Sequence, residues 1–311
     1  LFKHEFNIIN IHVHTNVVQP QRGTFDLKRV DEMVDFSEKN NIAIYLHTLA
    51  WMGTLPDWIK YGNFNESELR EILTDRITTI LTRYGKKAKY VDVVNEAVAG
   101  LDSTGNIIWA PGVWLNMGWY QGKKYRIPNY VVEAFRISRE VGGKDLKLIF
   151  NQYGNATPGA KMTDATFKLY EELKYEGIPI DGVGFQMHMH LLENGDVAEF
   201  NQKIKGFPLW TQEGFESLLK RYSDAGIEVH ITEIDVKIDK QPATAEQLDQ
   251  QATAYSQILE SAIKCPSVKT IKYFGFTDKT FLKSRGYNVT ATMFDMNFDP
   301  KPAYWSLVEL L

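Results

Sequence analysis

Two apolar runs of this sequence each end on a glutamate. The run "VHITEID" (229–235) places Glu233 and Asp235 after a strand-like segment, and "VDVVNE" (91–96) does the same with Glu96. A strand that only filled a core would avoid these acids, because an ionised carboxylate is costly to bury. Either glutamate alone fits a solvated strand end. Two of them suit glycoside hydrolysis, which needs one protonated and one ionised carboxyl group across a cleft.

The elements that must position these acids alternate along the chain. Alternating β and α elements favour a parallel sheet covered by helices. No Gly/Ser linker or change of composition divides the sequence, so we expect one catalytic domain over residues 1–311. The strand-like runs are residues 6–10, 42–48, 90–96, 146–153, 182–188, 227–233 and 271–278.

Polar side chains gather at the ends of these runs. They include His47, Asn95, Glu96, Asn151, Gln186, His188, Glu233, Asp235 and Asp278. A (β/α)8 barrel builds its site at the C-terminal ends of its strands, so the sequence predicts the α/β class and the (β/α)8 TIM-barrel fold. A doubly wound open sheet is the alternative, but it usually carries a Gly-rich phosphate turn, which this sequence lacks. Because seven runs are fewer than eight, we expect the first barrel strand to be missing or disordered in this chain.

Two of the intervening segments have a clear helical period. In the first, residues 65–85, Asn65 and Glu68 form a capping-box pattern and Gly85 supplies a stop. Its apolar face is predicted to consist of Leu69, Ile72, Leu73, Ile77, Ile80, Leu81 and Tyr84. The second, residues 246–263, is predicted to have an apolar face of Leu248, Ala252, Tyr255, Leu259 and Ile263.

The composition is that of a globular protein and argues against several classes of function. The chain is 44% hydrophobic and 24% charged, with a net charge of −4. This mild acidity does not favour nucleic-acid binding, which needs a basic patch. No apolar run reaches the ~18–20 residues of a membrane span. The single cysteine, Cys265, excludes an internal disulfide and lacks metal-ligand spacing. We therefore expect no cofactor, nucleic-acid partner or membrane.

Several motifs together resemble the family 10 glycoside hydrolases, a family of retaining endo-β-1,4-xylanases. The resemblance runs from near residue 6 to the C-terminus, and the order and spacing of the motifs carry it. The motifs are "HTLAW" (47–51), "LPDW" (55–58), "VDVVNE" (91–96), "DGVGFQMH" (181–188), "ITEID" (231–235), "GFTDK" (275–279) and "FDMNFDPKPAYWSL" (294–307). It implies hydrolysis of β-1,4-xylan or a substituted xylan by double displacement.

The resemblance also implies roles for the strand-end residues. Glu96 matches the acid/base and Glu233 matches the nucleophile, and retention asks for carboxyl groups ~5–5.5 Å apart. Asn95 matches the residue that binds the sugar 2-hydroxyl. His188 matches the histidine beside the nucleophile, with Asp235 holding it.

Four further positions are implied to bind sugar. His47 and Trp51 match residues of the subsite that holds the reacting sugar. Tyr153 matches an aromatic residue on the leaving-group side, and Gln186 matches a residue near the acid/base. The implied partner is a β-linked plant-type polysaccharide, and the implied protein is a secreted or extracytoplasmic monomer, although the chain shows no signal peptide.

The departures from the family pattern are concentrated on the glycone side. The family's Glu-Asn-x-x-Lys motif is absent from "NIINIHVHTNVVQP" (7–20), which is about two residues shorter than in the family. Other family positions are occupied by Met52, Thr54, Gly154, Phe274 and Leu282. These changes remove a cation, several polar partners and two tryptophan faces. We therefore expect a rebuilt glycone pocket that takes a substituted or differently shaped sugar, or binds plain xylan weakly.

A loop after the acid/base strand is rich in aromatic residues. Residues 100–128 carry Trp109, Trp114, Trp119, Tyr120 and Tyr125. Aromatic faces stack on sugar rings, but such rings also pack a loop onto its own fold. We expect most of them to pack the loop and one to face the cleft.

Two other classes of protein remain as alternatives. Two His-x-His pairs, one at His12 and His14 and the other at His188 and His190, suggest a metal-dependent amidohydrolase-like barrel, because alternate strand residues share a face. In that alternative, His230 and Asp278 complete the zinc site. Otherwise His12 and His14 replace lost sugar-binding groups or satisfy loop backbone.

The second alternative is a non-catalytic carbohydrate-binding or inhibitor protein on a degenerate hydrolase fold. The altered subsite favours it. The presence of both glutamates with Asn95, His188 and Asp235 argues against it, because a binding module needs no tuned acid.

Overall fold

The computed structural model describes residues 2–199, 208–239, 242–279 and 289–311. Strands and helices alternate along the chain, which divides into two compact units, Leu1–Gln152 with Ala165–Val183 and Tyr153–Asp164 with Gly184–Leu311. The described strands are β1 (Ile8–His12), β2 (Ala43–Trp51), β3 (Tyr90–Asn95), β4 (Val98–Leu101), β5 (Ile107–Trp109), β6 (Trp119–Gln121), β7 (Arg126–Pro128), β8 (Lys147–Gln152), β9 (Gly182–Phe185), β10 (His188–Leu191), β11 (Val197–Glu199), β12 (Glu228–Lys237) and β13 (Val268–Tyr273).

The described helices separate most of the parallel strands. They are α1 (Phe2–Glu5), α2 (Thr15–Val18), α3 (Lys28–Lys39), α4 (Asp57–Lys60), α5 (Glu66–Tyr84), α6 (Asn129–Gly142), α7 (Lys161–Tyr175), α8 (Gln212–Asp224), α9 (Ala245–Lys264) and α10 (Pro302–Val308), with a 3-10 turn at Val113–Met117. None of the helices in these described ranges is both long enough and apolar enough to cross a membrane.

The first unit is built on four parallel strands in the order β1, β2, β3 and β8. Every residue of β3 is buried, which explains its nearly continuous apolar sequence. The register pairs His12 with His47, Trp51 with Asn95, and Asn95 with Asn151. Polar residues at the strand ends are therefore neighbours across the sheet.

The second unit is organised around β12. This strand pairs in parallel with β10 on one side and β13 on the other, and β11 adds antiparallel to β10. His188 and Asp235 are register partners, so they face one another across adjacent strands. Eight consecutive residues of β12 are buried, from Val229 to Val236, and they include the two acids that end "VHITEID".

The predicted helix at residues 65–85 is confirmed together with its cap. Asn65 Oδ1 accepts a hydrogen bond from the Glu68 amide, and the Asn65 backbone amide donates one to Glu68 Oε2. All seven apolar residues of the predicted face are buried. Arg76 is buried among them, and the helical pattern did not predict this.

The second predicted helix is confirmed as α9, with two corrections to its apolar face. Ala252, Tyr255 and Leu259 are buried, whereas Leu248 is half-buried and Ile263 is 53% exposed. Ile263 lies in the last turn of α9. The helical period of apolar residues extends to this position, but the residue is not packed against the core. The predicted strand at 271–278 is also shifted, because β13 begins at Val268 and ends at Tyr273.

Six of the seven predicted runs overlap one described strand each, and the run at 182–188 contains β9 and begins β10. The short hairpins β4–β5 and β6–β7, which occupy the aromatic loop, were not predicted. The single domain over residues 1–311 and the missing first barrel strand stay predictions.

Candidate active site

Glu96 lies directly after β3 in the first unit and is half-buried. Its Oε2 accepts a hydrogen bond of 2.9 Å from Trp51 Nε1, which comes from the end of the neighbouring strand β2. The Glu96 backbone has a φ of 56°, in the left-handed region, and its amide donates to Asn151 O at 2.9 Å. A non-glycine residue is held in this conformation only when its surroundings define it, as is common at functional sites.

Asn95 immediately precedes Glu96 and is almost fully buried. Its Oδ1 accepts a 2.9 Å hydrogen bond from Asn151 Nδ2 on the adjacent strand β8. This contact sets the orientation of the Asn95 amide, because the side-chain oxygen is engaged by a fixed donor. Asn151 therefore acts as a positioning residue for the predicted sugar-binding group.

His47 is held in the same unit by a buried acid. Its Nδ1 lies 2.7 Å from Asp92 Oδ2, and Tyr45 donates its hydroxyl to Asp92 Oδ1 at 2.7 Å. Asp92 is fully buried. We did not predict this role for Asp92, although an acid inside the apolar run "YVDVVNE" was a visible signal that it needs a partner.

The second unit brings together three of the predicted residues. His188 Nδ1 lies 2.5 Å from Asp235 Oδ2, and His188 Nε2 lies 3.3 Å from Glu233 Oε2. Burial alone would lower the pKa of His188, but the charges and hydrogen bonds of Asp235 and Glu233 outweigh it and raise the pKa to about 9. At neutral pH the ring is therefore an imidazolium that donates to both carboxylates.

Two further contacts define the surroundings of this imidazolium. Phe274 meets the His188 ring edge to face, with centroids 4.9 Å apart. Lys237 Nζ lies 3.8 Å from Asp235 Oδ1. The residue at the family's tryptophan position is thus still an aromatic neighbour of the histidine, with a smaller apolar face.

Gln186 and Tyr153 lie at strand ends, as predicted. Gln186 is buried one residue after β9, and Tyr153 is half-buried directly after β8. Their roles in sugar binding stay predictions, and so does the ~5–5.5 Å separation of the two carboxyl groups that retention asks for. Leu282 lies outside the described residues.

His230 and Asp278 have structural partners instead of a shared metal site. His230 Nδ1 lies 2.9 Å from Thr270 Oγ1. Asp278 binds Lys301 Nζ at 3.0 Å and accepts from the backbone amides of Ala291 and Thr292. These contacts give Asp278 the role of a loop anchor. Among the described residues, the histidines that could share an ion are a different set, namely His12, His14 and His47 in the first unit.

The aromatic loop packs partly onto itself, as expected. Trp114 is fully buried, and the rings of Trp109 and Trp119 meet at 6.4 Å. Trp109, Trp119 and Tyr125 also line a pocket of about 360 Å³. That one ring faces the substrate cleft stays a prediction.

Carboxylates on parallel strands, each held by a nitrogen donor, meet the requirement of glycoside hydrolysis for fixed acidic groups. The family model described as glycosyl hydrolase family 10 matches residues 1–310, and the chain belongs to this family. The fold class is accordingly the (β/α)8 barrel.

Relatives and solved structures agree with this assignment. The chain is 30% identical over 316 residues to endo-1,4-beta-xylanase B of Thermotoga neapolitana, covering 99% of this chain and 82% of the relative. It is 31% identical over 296 residues to endo-1,4-beta-xylanase 2 of Aureobasidium pullulans, covering 94% and 76%. The structure resembles native xylanase 10B of Thermotoga maritima with a TM-score of 0.83 and 30% identity, covering 99% of this chain and 87% of that chain.

Proposed function

We propose that this chain is an endo-acting retaining β-glycosidase that hydrolyses β-1,4-xylan or a substituted xylan. The observation that carries the proposal is the buried His188 imidazolium between Asp235 and Glu233. A cation fixed beside Glu233 favours the ionised carboxylate that a nucleophile must be. Its Nε2–H also restricts the rotation of the Glu233 carboxylate, which orients the attacking oxygen.

In this mechanism Glu96 supplies the proton. Because Glu96 Oε2 accepts from Trp51, the other carboxyl oxygen carries the proton to the leaving glycosidic oxygen. Glu233 attacks the anomeric carbon as that bond breaks and forms a covalent glycosyl-enzyme. Glu96, now ionised, then takes a proton from water, and the water oxygen displaces Glu233 with net retention of configuration.

The groups around the reacting sugar act through hydrogen bonds. Asn95 is proposed to bind the 2-hydroxyl, a contact that strengthens as positive charge develops on the ring. His47 is proposed to bind a hydroxyl of the same sugar, since the Asp92 carboxylate fixes its ring. Trp51 is proposed to contact the sugar as well as Glu96. Gln186 is proposed to act near the acid/base, and Tyr153 on the leaving-group side.

The substrate class follows from the relatives. The two relatives named above are endo-1,4-beta-xylanases, and xylanase 10B of Thermotoga petrophila, at 30% identity and a TM-score of 0.83, is described in complex with xylobiose. The loss of the Glu-Asn-x-x-Lys motif and the presence of Phe274 support a glycone pocket suited to a substituted xylan. We further propose a monomer that acts outside the cytoplasm, where such polysaccharides occur.

The proposal is tested by a product analysis across xylan, glucuronoxylan, arabinoxylan and mixed-linkage glucan. Short oligosaccharides from the middle of a decorated xylan chain, with β-configured reducing ends seen first by proton NMR, are expected. Initial release of the α-anomer would contradict retention. Activity on unsubstituted xylan that equals activity on the decorated forms would contradict the rebuilt pocket.

A variant without the nucleophile separates this enzyme from a binding protein. Glu233→Ala is expected to abolish turnover and to retain binding of the oligosaccharide products. A wild-type protein that binds these glycans but turns over none of them would favour the non-catalytic alternative.

A further inference from the structure

Three histidine side chains converge where β1 ends beside the middle of β2 in the first unit. His12, His14 and His47 each offer a ring nitrogen, and these atoms all lie within 4.8 Å of one another. The ring centroids are 4.7 Å apart for His12 and His14, 5.5 Å for His12 and His47, and 5.2 Å for His14 and His47. We propose that these three residues, here called the histidine triad, form a binding site for a divalent transition metal of the zinc type.

The spacing within the histidine triad suits such an ion. Two nitrogen ligands at ~2.0–2.1 Å from a tetrahedral zinc lie about 3.3 Å from each other. His12 Nδ1 and His14 Nε2 are 3.3 Å apart. A hydrogen bond between two imidazoles would account for this contact alone, but it gives no reason for a third imidazole within 4.8 Å. The His12 ring is exposed and the His14 ring half-buried, so the binding of an ion requires these two rings to rotate toward His47.

His47 is prepared as a ligand by its buried acid. The carboxylate of Asp92 lies 2.7 Å from His47 Nδ1, so Nδ1 carries the hydrogen and Nε2 carries the lone pair. A histidine that ligates zinc usually donates its other N–H to a carboxylate or carbonyl, which fixes the ring and raises its basicity. Tyr45 holds Asp92 in turn, through a hydroxyl contact of 2.7 Å. The third ligand is therefore rigid before an ion arrives.

The backbone that carries the triad is also fixed. His12 and His47 are register partners in the parallel pair β1–β2, so their Cα atoms are neighbours. The buried Arg76 guanidinium donates to Leu49 O at 2.7 Å, to Thr48 O at 3.0 Å and to Val13 O. One side chain of α5 thus ties together the two segments that bear the ligands.

The ligand set selects a class of metal. Three neutral imidazoles suit zinc, copper, nickel and cobalt, whereas magnesium and calcium prefer oxygen ligands. Three protein ligands leave the fourth position of a tetrahedral ion for water or another oxygen ligand. The site also lies close to the proposed acid/base, since His14 meets the Trp51 ring at 5.5 Å and Trp51 donates to Glu96. An ion on His47 Nε2 displaces the sugar hydroxyl proposed for this ring, so the metal site competes with that one sugar contact and is otherwise independent of the proposed glycosidase chemistry.

Metal binding is measured directly, without an activity assay. Protein treated with chelator is titrated with Zn²⁺ and, separately, with Mg²⁺ by calorimetry, and bound metal is counted by elemental analysis after gel filtration. We expect one zinc per chain with a Kd on the order of 1 µM or tighter. No binding of Mg²⁺ is expected under the same conditions. Co²⁺ in place of zinc should show the visible absorption of a tetrahedral site.

Variants assign the binding to the triad. His12→Gln and His14→Gln should each weaken zinc binding by more than about 100-fold, because loss of a ligand exceeds the 10–100-fold cost of losing an outer-shell partner. His4→Gln removes an exposed histidine of α1 and should retain full affinity. Thermal melting of each metal-free variant confirms its fold. The proposal is overturned by zinc binding only at roughly millimolar concentration, or by equal affinity in wild type and His12→Gln.

Discussion

The ring of His188 stands between Glu233 and Asp235, with Nε2 3.3 Å from one carboxylate and Nδ1 2.5 Å from the other. The two acids are adjacent positions on the same face of β12, while the histidine comes from β10, so the arrangement depends on the pairing of these strands. Because both ring nitrogens face carboxylates, the imidazolium is stabilised and the pKa of His188 rises to about 9 despite burial.

Asp235→Asn should reduce activity and lower the pKa of His188. Removal of one negative charge leaves the burial of the imidazolium with less compensation. We expect the midpoint of the His188 ring titration, followed by proton NMR of the imidazole C–H signals, to move to lower pH by roughly one to two units. Asp239→Asn is the matched control, since Asp239 is an exposed acid 3.8 Å from His190. A His188 midpoint at the same pH in wild type and Asp235→Asn would contradict this role.

The raised pKa of His188 also predicts how the stability of the folded protein depends on pH. The pKa of His188 is raised in the folded protein from its ordinary value of 6.5 to about 9, so the folded state binds this proton more tightly than the unfolded chain does. The resulting stabilisation is complete below pH 6.5 and is lost as the pH rises through about 9. Denaturant unfolding between pH 6 and 10 should show this decline in wild type and a smaller one in Asp235→Asn. A larger decline in the variant would contradict it.

Trp51→Phe should slow catalysis without unfolding the protein. The change keeps an aromatic ring but removes the Nε1–H that donates to Glu96 Oε2 at 2.9 Å. One such hydrogen bond contributes about 1–1.5 kcal/mol, which corresponds to a fall in kcat of roughly tenfold. Trp58→Phe is the control, because Trp58 donates to Gln19 O in a different part of the unit. Equal kcat in the two variants would show that the Glu96 contact has no role in turnover.

Asn151 should affect catalysis by fixing the orientation of the Asn95 side-chain amide. Asn151→Ala frees the Asn95 amide to rotate, so kcat/KM should fall by roughly tenfold, in line with the loss of one hydrogen bond. Asn95→Ala should cost more, because it removes the proposed sugar contact itself. In the double variant the Asn151 change should add little, which a double-mutant cycle measures as a coupling energy. Strictly additive losses would indicate that Asn151 acts independently.

Glu199→Gln should reduce the dependence of the unfolding free energy on pH between 4.5 and about 7. Burial raises the pKa of Glu199 to about 7, although Thr157 and the Ala156 amide donate to its carboxyl oxygens. The folded state therefore retains a proton that the unfolded chain releases near pH 4.5, so stability falls as the pH rises from 4.5 through about 7. The glutamine amide does not ionise, so it should remove this decline, which is about 3 kcal/mol.

Denaturant unfolding at pH 4.5 and pH 8 measures the Glu199 effect. Glu213→Gln, at an exposed acid in the first turn of α8, should leave the wild-type dependence intact. A Glu199→Gln variant that loses as much stability as wild type over this interval would contradict the prediction.

Much of the fold follows from local patterns in the sequence. The helix at 66–84 was predicted with its cap and its apolar face because both depend on residues three or four positions apart. Ile263 shows where such patterns fail, since the helical period reaches it but no core covers it. The hairpins of the aromatic loop were missed because their strands are only three or four residues long.

The candidate site also has some residues that local sequence signals predict and others that only the pairing of strands brings together. Glu96 and Glu233 were predicted because each is a charged residue at the end of an apolar run, which is a local signal. The partners of these acids come from other strands, and the register of a sheet sets them. Asp92 beneath His47 and Asn151 beside Asn95 belong to this second group.

By itself, the amino-acid order determined which residue types end each strand and therefore the chemistry available to this glycoside hydrolase. Only the tertiary structure decided which of these residues are neighbours. His12, His14 and His47 illustrate the difference: the His-x-His spacing suggested a metal pair, but its predicted completion by His230 and Asp278 has no support, since these two residues have other partners. The third histidine comes from 33 residues along the chain, across a parallel strand pair whose register no local pattern specifies.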